Sequence, residues 1–551
     1  MEKNDTLYLG ICMAGAVSAG AYTAGVMDYL IEALDTWEDR KKKNEANVPS
    51  HKVVIPIIGG ASAGGMTGII TASAINNPIE PVRKLGANIL EEQPQNKLYH
   101  TWVDLVGEDM FSVLLKNDDI NGKIYSLFNS NFIQDLAQEA VKVNPQAFLQ
   151  RPYFDKNLKV FTTLTNLKGF PYSVNFKGIN QENQYYLSRH SDYAAFSLNP
   201  NGKSAEKGWM PLDFFNDINV SAASSAAMAT GAFPLGLRAR SIQREVKYIN
   251  ELSWNLDITK RWPLKGKNGA DNALCVDGGV INNEPFFRVE EVLEDYLEKT
   301  TGQKKERAKK NMDTFASTMI MIDPFPSTTE EFKSTDEIKD IAGSTLNAIL
   351  SQIRLKPESL EEICDDNNPN KFLIAPSRRM QGERIEGDRA IACGFFGGFG
   401  GFLNKEFRIH DYFLGRANCK GFLKEYFTVP VDSKNPIFQE GYKDVNDRKP
   451  FLSKDGKRMQ IIPVFEPADD QFYMPSFRHH PYWPIRKESE VNIYKKPLKR
   501  RAGKIIMNLA EYSFLQKILI GIGSKVILRG MLAGFMLNNI KSEMKHWKLL
   551  Q

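Results

Sequence analysis

The residues Gly60-Ala61-Ser62-Ala63-Gly64 form the Gly-x-Ser-x-Gly pattern that surrounds the activated serine of many acyl-transferring enzymes. An uninterrupted apolar run at residues 53–58 precedes the pattern, and a stretch rich in small residues follows it to about residue 76. A strand, tight turn and helix in this order hold a serine in a strained, exposed position at the start of a helix. The pattern predicts that Ser62 is a nucleophile. The competing interpretation is a glycine-rich turn that only packs.

The rest of the chain does not supply an obvious histidine to activate this serine. None of the six histidines considered as a triad base has a motif around it; they are His100, His190, His410, His479, His480 and His546. In α/β-hydrolases several strands precede the nucleophile, whereas here only one strand–helix unit does. The sequence therefore argues against a Ser-His-acid triad on that fold.

The elements that would position Ser62 follow from hydrophobic patterning. Apolar runs predict strands at residues 7–12 and 53–58, with a helix between them over residues 20–37. Further strands are predicted at residues 159–163, 273–276 and 318–322, and a helix at 221–230. Apolar strands that alternate with helices indicate an α/β fold, with a mostly parallel sheet covered by helices.

Composition changes after Pro324 and suggests two regions. Residues 1–325 are predicted to form the catalytic domain, in which the polar stretch 178–208 is expected to be irregular and is a candidate insertion or flap. Residues 326–551 are predicted to be an appended region of mixed and helical structure. It includes a helix at 337–353 and a segment rich in glycine and phenylalanine at 394–401. That segment is expected either to line an acyl pocket or to pack its rings in a loop.

Three motifs resemble those of patatin-like phospholipases, in the order and spacing of that family. They are the loop at residues 15–20 (Gly-Ala-Val-Ser-Ala-Gly), the turn around Ser62, and residues 277–279 (Asp-Gly-Gly). Softer matches occur at residues 223–225 and 231–234. The resemblance covers roughly residues 5–325. It implies the three-layer patatin-like fold, a lipid or acyl ester substrate, and no metal or cofactor.

The resemblance also implies the roles of individual residues. Ser62 would be the nucleophile and Asp277 its base, without a histidine. Backbone amides of the first loop would form the oxyanion hole, and small residues would support the motifs. The loop positions are Gly15, Ala16, Val17 and Ser18, and the supporting glycines are Gly20, Gly60, Gly64, Gly278 and Gly279.

The first loop departs from the pattern usual in the family, which reads Gly-Gly-Gly-x-Arg-Gly. Ala16 and Val17 stand where two glycines are expected, and Ala19 stands where the arginine is expected. A β-branched residue is strained at positive φ. We therefore expect either a different loop conformation or a narrower oxyanion hole.

The cysteine content and the N-terminal residues bear on the compartment. The five cysteines form neither a Cys-x-x-Cys pair nor a Cys/His cluster, which argues against a disulfide framework and a structural zinc site. Neither a signal peptide nor a spanning apolar stretch is recognised. The predicted location is the cytoplasm, with peripheral contact to a membrane as an alternative.

Charge is concentrated at one end of the chain. Residues 486–551 contain 14 Lys and Arg against 4 Glu, a net charge of +10, although the whole chain carries only +5. This end is interpreted either as a segment attracted to anionic lipid or as packed helices with a solvated basic face. A nucleic acid partner is not predicted, and the oligomeric state is left open.

Three functions are compatible with these observations. The first is lipid acyl hydrolysis of the phospholipase A or lysophospholipase type, through an acyl-serine intermediate. The second is a soluble esterase or thioesterase with the same Ser–Asp pair. The third is a catalytically weak interaction module or a nucleotide-binding loop. The nucleotide-binding loop is disfavoured because no Lys-Ser/Thr follows residues 15–20.

Overall fold

The computed structural model describes most of the chain. The described residues are 5–104, 106–175, 184–199, 206–254, 269–302, 311–326, 341, 372–380, 382–465, 472–509 and 524–551. Cys364 and most of the predicted helix at 337–353 lie outside them, as do the apolar run at 515–522 and residues 178–183 and 200–205 of the expected flap.

A large mixed sheet forms the centre of the fold. Within the described residues it has nine strands in the order β5-β4-β3-β2-β1-β8-β9, with β7 paired to β3 and β6 paired to β7. Its strands are β1 (Thr6–Met13), β2 (Lys52–Gly60), β3 (Phe154–Asn175), β4 (Gln184–Leu198), β5 (Met210–Leu212), β6 (Arg240–Glu245), β7 (Ala270–Asp277), β8 (Ser317–Ile322) and β9 (Phe372–Ile374). Most neighbouring pairs are parallel, including β1 with β2 and β8, and β2 with β3. The predicted α/β fold with a mostly parallel sheet is confirmed.

Helices cover both faces of this sheet. The described helices are α1 (Gly20–Lys42), α2 (Ser62–Ala74), α3 (Ile89–Glu92), α4 (Lys97–Tyr99), α5 (Met110–Leu114), α6 (Phe132–Ala140), α7 (Val220–Thr230), α8 (Val246–Glu251), α9 (Phe286–Thr301), α10 (Lys405–Glu425), α11 (Pro436–Gly441), α12 (Glu488–Asn492), α13 (Lys495–Leu509) and α14 (Ser524–His546). No described helix meets the length and apolarity that crossing a membrane requires.

Two apolar cores lie on opposite faces of the sheet because successive strand residues point to opposite sides. Ile11 and Ile58 belong to the larger core, with α1 and α2. Cys12 and Ile57, their chain neighbours, pack against Val289 of α9 in the smaller core. Burial of both faces explains why β1 and β2 have apolar sequences without polar alternation.

The polar stretch expected to be irregular contains a regular strand, so this part of the expectation was wrong. β4 pairs antiparallel with β3 over most of its length. Its polar residues suggest an exposed segment, but one of them, Asp192, is fully buried and forms a bidentate ion pair with Arg244 of β6.

The region after residue 325 contacts the first part of the chain extensively. β9 extends the central sheet beside β8, and α10 packs along α1. At Gly415 of α10 an added Cβ atom would overlap the backbone oxygen of Tyr22 in α1. Two small antiparallel sheets of two strands each complete the mixed and helical region, β10–β11 (Ser377–Met380, Glu383–Glu386) and β12–β13 (Thr428–Pro430, Arg458–Gln460). The division at residue 325 stays a prediction.

Candidate active site

Strand register brings two of the predicted site residues together. Gly60, at the end of β2, lies opposite Thr162 of β3, and β3 continues beyond the end of β2. Two residues further on, Leu164 lies opposite Asp277, the last residue of β7. Because β7 runs antiparallel to β3, it ends where the turn after β2 places Ser62.

Ser62 is the first residue of α2 and occupies the left-handed region of backbone space, with φ of +50°. Its Oγ donates a hydrogen bond of 2.7 Å to Oδ2 of Asp277. Its backbone N–H donates to Oγ1 of Thr230, at 2.9 Å. The strained backbone and both bonds give the serine a single orientation, as the predicted nucleophile turn requires.

The glycines around Ser62 are explained by close backbone approaches. A Cβ atom at Gly60 would lie 2.6 Å from the carbonyl carbon of Gly64. A Cβ at Gly64 would overlap the carbonyl oxygen of Met13, at the end of β1. The turn can therefore fold back on itself and against β1 only with glycine at these positions.

Asp277 is held in place by hydrogen bonds in addition to the one from Ser62. Its Oδ1 accepts a hydrogen bond of 2.7 Å from the amide of Gly279. Its own amide donates to the carbonyl of Ala232, and its carbonyl accepts from the hydroxyl of Thr165. Gly278 passes so close to Thr163 that a Cβ atom would overlap the Thr163 carbonyl oxygen. The carboxylate is fixed with Oδ2 toward the serine.

The loop at residues 15–20 lies beside Ser62. A Cβ atom at Gly15 would be 2.9 Å from Cβ of Ser62, and the side chain of Val17 lines the same pocket as Ser62. Val17 has φ of +46°, a conformation that costs a β-branched residue about 1–3 kcal/mol. Gly20 packs against the ring of Trp102. The positive φ of Val17 is the backbone strain considered from the sequence, and the narrower oxyanion hole stays a prediction.

Ser18 is hydrogen-bonded to the region after residue 325. Its amide donates to the carbonyl of Gly398 at 3.1 Å, and its hydroxyl donates to the same oxygen. The Ser18 Oγ also accepts from the amide of Gly401, at 2.9 Å. The Ser18 amide is thus occupied. The amides of Ala16 and Val17, by contrast, donate to no group within the part of the chain that the structure describes.

Residues of α10 brace the segment that holds Ser18. The guanidinium of Arg408 donates to the carbonyls of Gly401, Val103 and Gly107. The carboxylate of Asp411 accepts from the amides of Ala392 and Cys393, at 2.7 and 2.8 Å. Burial lowers the pKa of Arg408 to about 10, so it remains charged at neutral pH.

An apolar pocket opens beside Ser62 and Asp277. Side chains from several helices and loops line it, among them Trp102, Leu114, Ile133, Leu136, Met228 and Phe233. Of the glycine- and phenylalanine-rich segment and its flank, Phe402 reaches the pocket. Phe395 and Phe399 instead pack in the large core, and the role of the pocket as an acyl site stays a prediction.

The histidines are placed away from the serine. No histidine is among the described residues that line the pocket. His100 is bonded to the carboxylate of Asp104 and the carbonyl of Gln93. His410 contacts Asp411, and burial lowers the pKa of its ring.

Several site residues were not predicted from the sequence. Thr230 ends a helix that was predicted, but the sequence contains no motif that marks a contact with Ser62. Gly398 and Gly401 lie in a segment noted only for its rings. The pocket-lining residues are scattered along the chain and share only apolar character.

Comparison with known proteins gives two matches. Residues 11–289 match the family model described as patatin-like phospholipase. The uncharacterized protein y4iI of Sinorhizobium fredii (strain NBRC 101917 / NGR234) is 31% identical over 523 residues, which cover 85% of this chain and 71% of that protein.

Proposed function

The chain belongs to the patatin-like phospholipase family, a family of lipid acyl hydrolases, and we propose that it cleaves phospholipid or lysophospholipid acyl esters through an acyl-Ser62 intermediate. The observation that carries this proposal is the 2.7 Å hydrogen bond from Ser62 to Asp277 beside an apolar pocket. The apolar lining suits a fatty acyl chain, and the buried pair suits attack on its ester carbonyl.

In the first step, Oγ of Ser62 attacks the ester carbonyl carbon and transfers its proton to Oδ2 of Asp277. The tetrahedral intermediate then collapses, the bond to the alcohol oxygen breaks, and Asp277 returns the proton to the leaving alcohol. An acyl-serine ester results, and the released alcohol is a lysophospholipid when the substrate is a phospholipid and a glycerophosphodiester when it is a lysophospholipid. The Gly279 amide keeps the carboxylate oriented throughout.

In the second step, water attacks the acyl-serine. Asp277 accepts a proton from this water and then gives it to Oγ of Ser62 as the fatty acid leaves. The same carboxylate serves both steps, so no histidine is required by this scheme.

The negative charge of each tetrahedral intermediate needs donors near Ser62. The amides of Ala16 and Val17 are the candidates in the loop that touches the serine. One well-placed donor of this kind typically contributes about 10²–10³ in rate. In this scheme the strained backbone of Val17, at positive φ, holds its amide in one direction.

A labelling experiment tests the nucleophile. A fluorophosphonate probe should modify the wild-type chain and fail to modify Ser62→Ala. Ser73→Ala is a matched control, because Ser73 is another buried serine of α2, and its hydroxyl bonds to Ile70, Ala140 and Lys97 rather than to Asp277. Equal labelling of Ser62→Ala, or no labelling of the wild type, would contradict the proposal.

A product assay tests the substrate class. Mixed phospholipids are incubated with the wild type and with Asp277→Asn, and the products are identified by mass spectrometry. Release of fatty acid and lysolipid by the wild type alone is expected. Hydrolysis of short soluble esters or thioesters without any attack on lipid would instead support a soluble esterase.

A further inference from the structure

Exposed apolar side chains lie beside the pocket. Phe233 lines the pocket yet remains 42% exposed, and Leu235 is 80% exposed. Tyr125 and Leu127 are also exposed. Tyr125 and Leu127 lie alongside Leu235, because the amide of Leu127 donates to the carbonyl of Leu235 at 2.8 Å. We call these four residues the apolar rim.

Leu235 has a backbone conformation that is unusual for leucine. Its φ of +62° lies in the left-handed region, where glycine or asparagine is favoured and leucine is strained. Neither backbone geometry nor burial accounts for a leucine here. A side chain that is both strained and exposed points to contact with something outside the chain.

A cationic helix lies next to this rim. Leu498, Arg501 and Ile505 form the buried face of α13. Its exposed residues line a groove together with Asn117, and four of them carry positive charge: Lys496, Lys499, Arg500 and Lys504. We call this the basic groove.

Arg501 joins the groove to the rim. Its guanidinium donates to the carbonyls of Lys116, Ser126 and Leu127, with 2.7 Å between Nε and the Leu127 oxygen. It also forms a bidentate ion pair with Asp119, at 2.6 and 2.8 Å. The backbone that carries Tyr125 and Leu127 is therefore fixed directly against the basic helix.

We propose that the apolar rim and the basic groove form one docking face for an anionic phospholipid bilayer. The proposal deepens the proposed function, on which it rests, by naming the surface from which the pocket takes its substrate. Cations attract anionic headgroups, and apolar side chains enter the boundary between headgroups and acyl chains. A nucleic acid or an acidic peptide would use the groove but would leave the rim and the pocket mouth without a role.

Vesicle binding tests the docking face without depending on hydrolysis. The full chain carrying Ser62→Ala is sedimented with vesicles of phosphatidylcholine, with and without phosphatidylglycerol. Binding should be at least tenfold tighter when phosphatidylglycerol is present. It should weaken steeply as salt rises from about 0.1 M to about 0.5 M, because the Debye length shortens.

Charge variants locate the contribution of the groove. The triple variant Lys499→Gln, Arg500→Gln, Lys504→Gln should bind anionic vesicles at least tenfold more weakly. The matched control Lys443→Gln, Lys449→Gln, Lys454→Gln makes the same change of charge near the start of β2, whereas Ser62 follows the end of β2. The control residues are placed there because the amide of Ser50, just before β2, donates to the carbonyl of Gly441. The control should bind normally.

A rim variant separates apolar contact from charge. Leu235→Asn keeps a residue that tolerates positive φ, and it should remove most of the binding that survives high salt. Tyr426→Asn, at an exposed tyrosine that ends α10, is the control and should have no effect.

The outcomes distinguish this proposal from the proposed function. Binding that does not depend on phosphatidylglycerol, or equal losses in the control variants, would overturn the docking face. Hydrolysis of phospholipid and lysophospholipid in detergent micelles by the wild type is measured separately, because it does not require docking on a bilayer. If hydrolysis fails while charge-dependent binding remains, the enzymatic proposal falls and the docking face stands.

Discussion

The amide of Ser18 donates a hydrogen bond to the carbonyl of Gly398, a residue 380 positions later in the chain. The bond connects the loop beside the nucleophile to a segment braced by Arg408 and Asp411 of α10. The loop has Ala19 where the family has an arginine. Its order therefore comes from elsewhere in the chain, and the region after residue 325 contributes to the geometry of the site.

Ser18→Ala should affect both stability and turnover. The change keeps the amide but removes the hydroxyl that accepts from Gly401, and a buried N–H without a partner costs about 1–3 kcal/mol of unfolding free energy. We expect kcat for a soluble ester to fall about tenfold with little change in KM, because the loop donors are displaced. Ser73→Ala, which also removes a buried hydroxyl with hydrogen bonds, is the control for turnover and should leave kcat unchanged. A loss of stability with unchanged kcat would show that the Ser18 bonds do not position the site.

Thr230→Val should disturb the nucleophile through its backbone. The valine has the same shape but cannot accept from the Ser62 amide. The expected result is a loss of about 1–3 kcal/mol in unfolding free energy and a fall in kcat with KM preserved. Ser224→Ala, in the same helix, is the control, because the Ser224 hydroxyl has no hydrogen-bond partner within the described residues. If both variants behave alike, Thr230 has no positioning role.

Stability should decrease between pH 7 and pH 5. Burial lowers the pKa of His51 to about 4, and its Nε2–H donates to the carbonyl of Ile461. The folded chain therefore keeps this ring neutral, whereas the unfolded chain protonates it below a pKa of about 6.5. The stabilisation is complete above pH 6.5 and is lost as the pH falls toward 4, which amounts to about 2 kcal/mol by pH 5.

Urea unfolding at several pH values measures this effect. His51→Gln retains an N–H donor without a titrating ring and should flatten the pH dependence. His546→Asn, at the exposed end of α14, should leave it as in the wild type. An unchanged slope in His51→Gln would contradict the assignment.

Two glycines of α10 should respond oppositely to alanine. At Gly415 a Cβ atom would overlap the Tyr22 carbonyl oxygen of α1, whereas at Gly421 it would meet nothing within 4 Å. Gly415→Ala should force the helices apart and cost roughly 3 kcal/mol or more. Gly421→Ala should stabilise the helix by about 0.5–1 kcal/mol. Thermal unfolding of the pair separates helix contact from helix propensity, and similar melting temperatures would refute the close packing.

The elements nearest the serine could be predicted because their sequences are locally consistent. Apolar strands, small turn residues and helical spacing agree around β1, α1, β2 and α2, and the structure has all four. β4 was not predicted because pattern reasoning takes buried polar residues for exposed ones. The ion pair between Asp192 and Arg244 depends on a strand more than 40 residues later.

The pairing of Ser62 with Asp277 came from motifs, but the structure explains it by strand register, which the sequence does not encode locally. The bonds of Ser18 to Gly398 and Gly401 could not be predicted, since only packing of α10 against α1 brings these segments together. The pocket lining has the same limitation. In the sequence its apolar residues cannot be distinguished from core residues, because only the folded structure shows the space between them.

The order of the sheet has a consequence for the chain during synthesis. β1 is made first but lies between β2 and β8, and its following loop bonds to Gly398. At translation rates of about 5–20 residues per second, roughly 20–75 s separate the emergence of Ser18 from that of its partner 380 residues later. A nascent chain therefore holds the turn around Ser62 long before the loop at residues 15–20 can form its bonds to Gly398. The candidate active site becomes complete only late in translation, so a chain on a stalled ribosome would have an incomplete site.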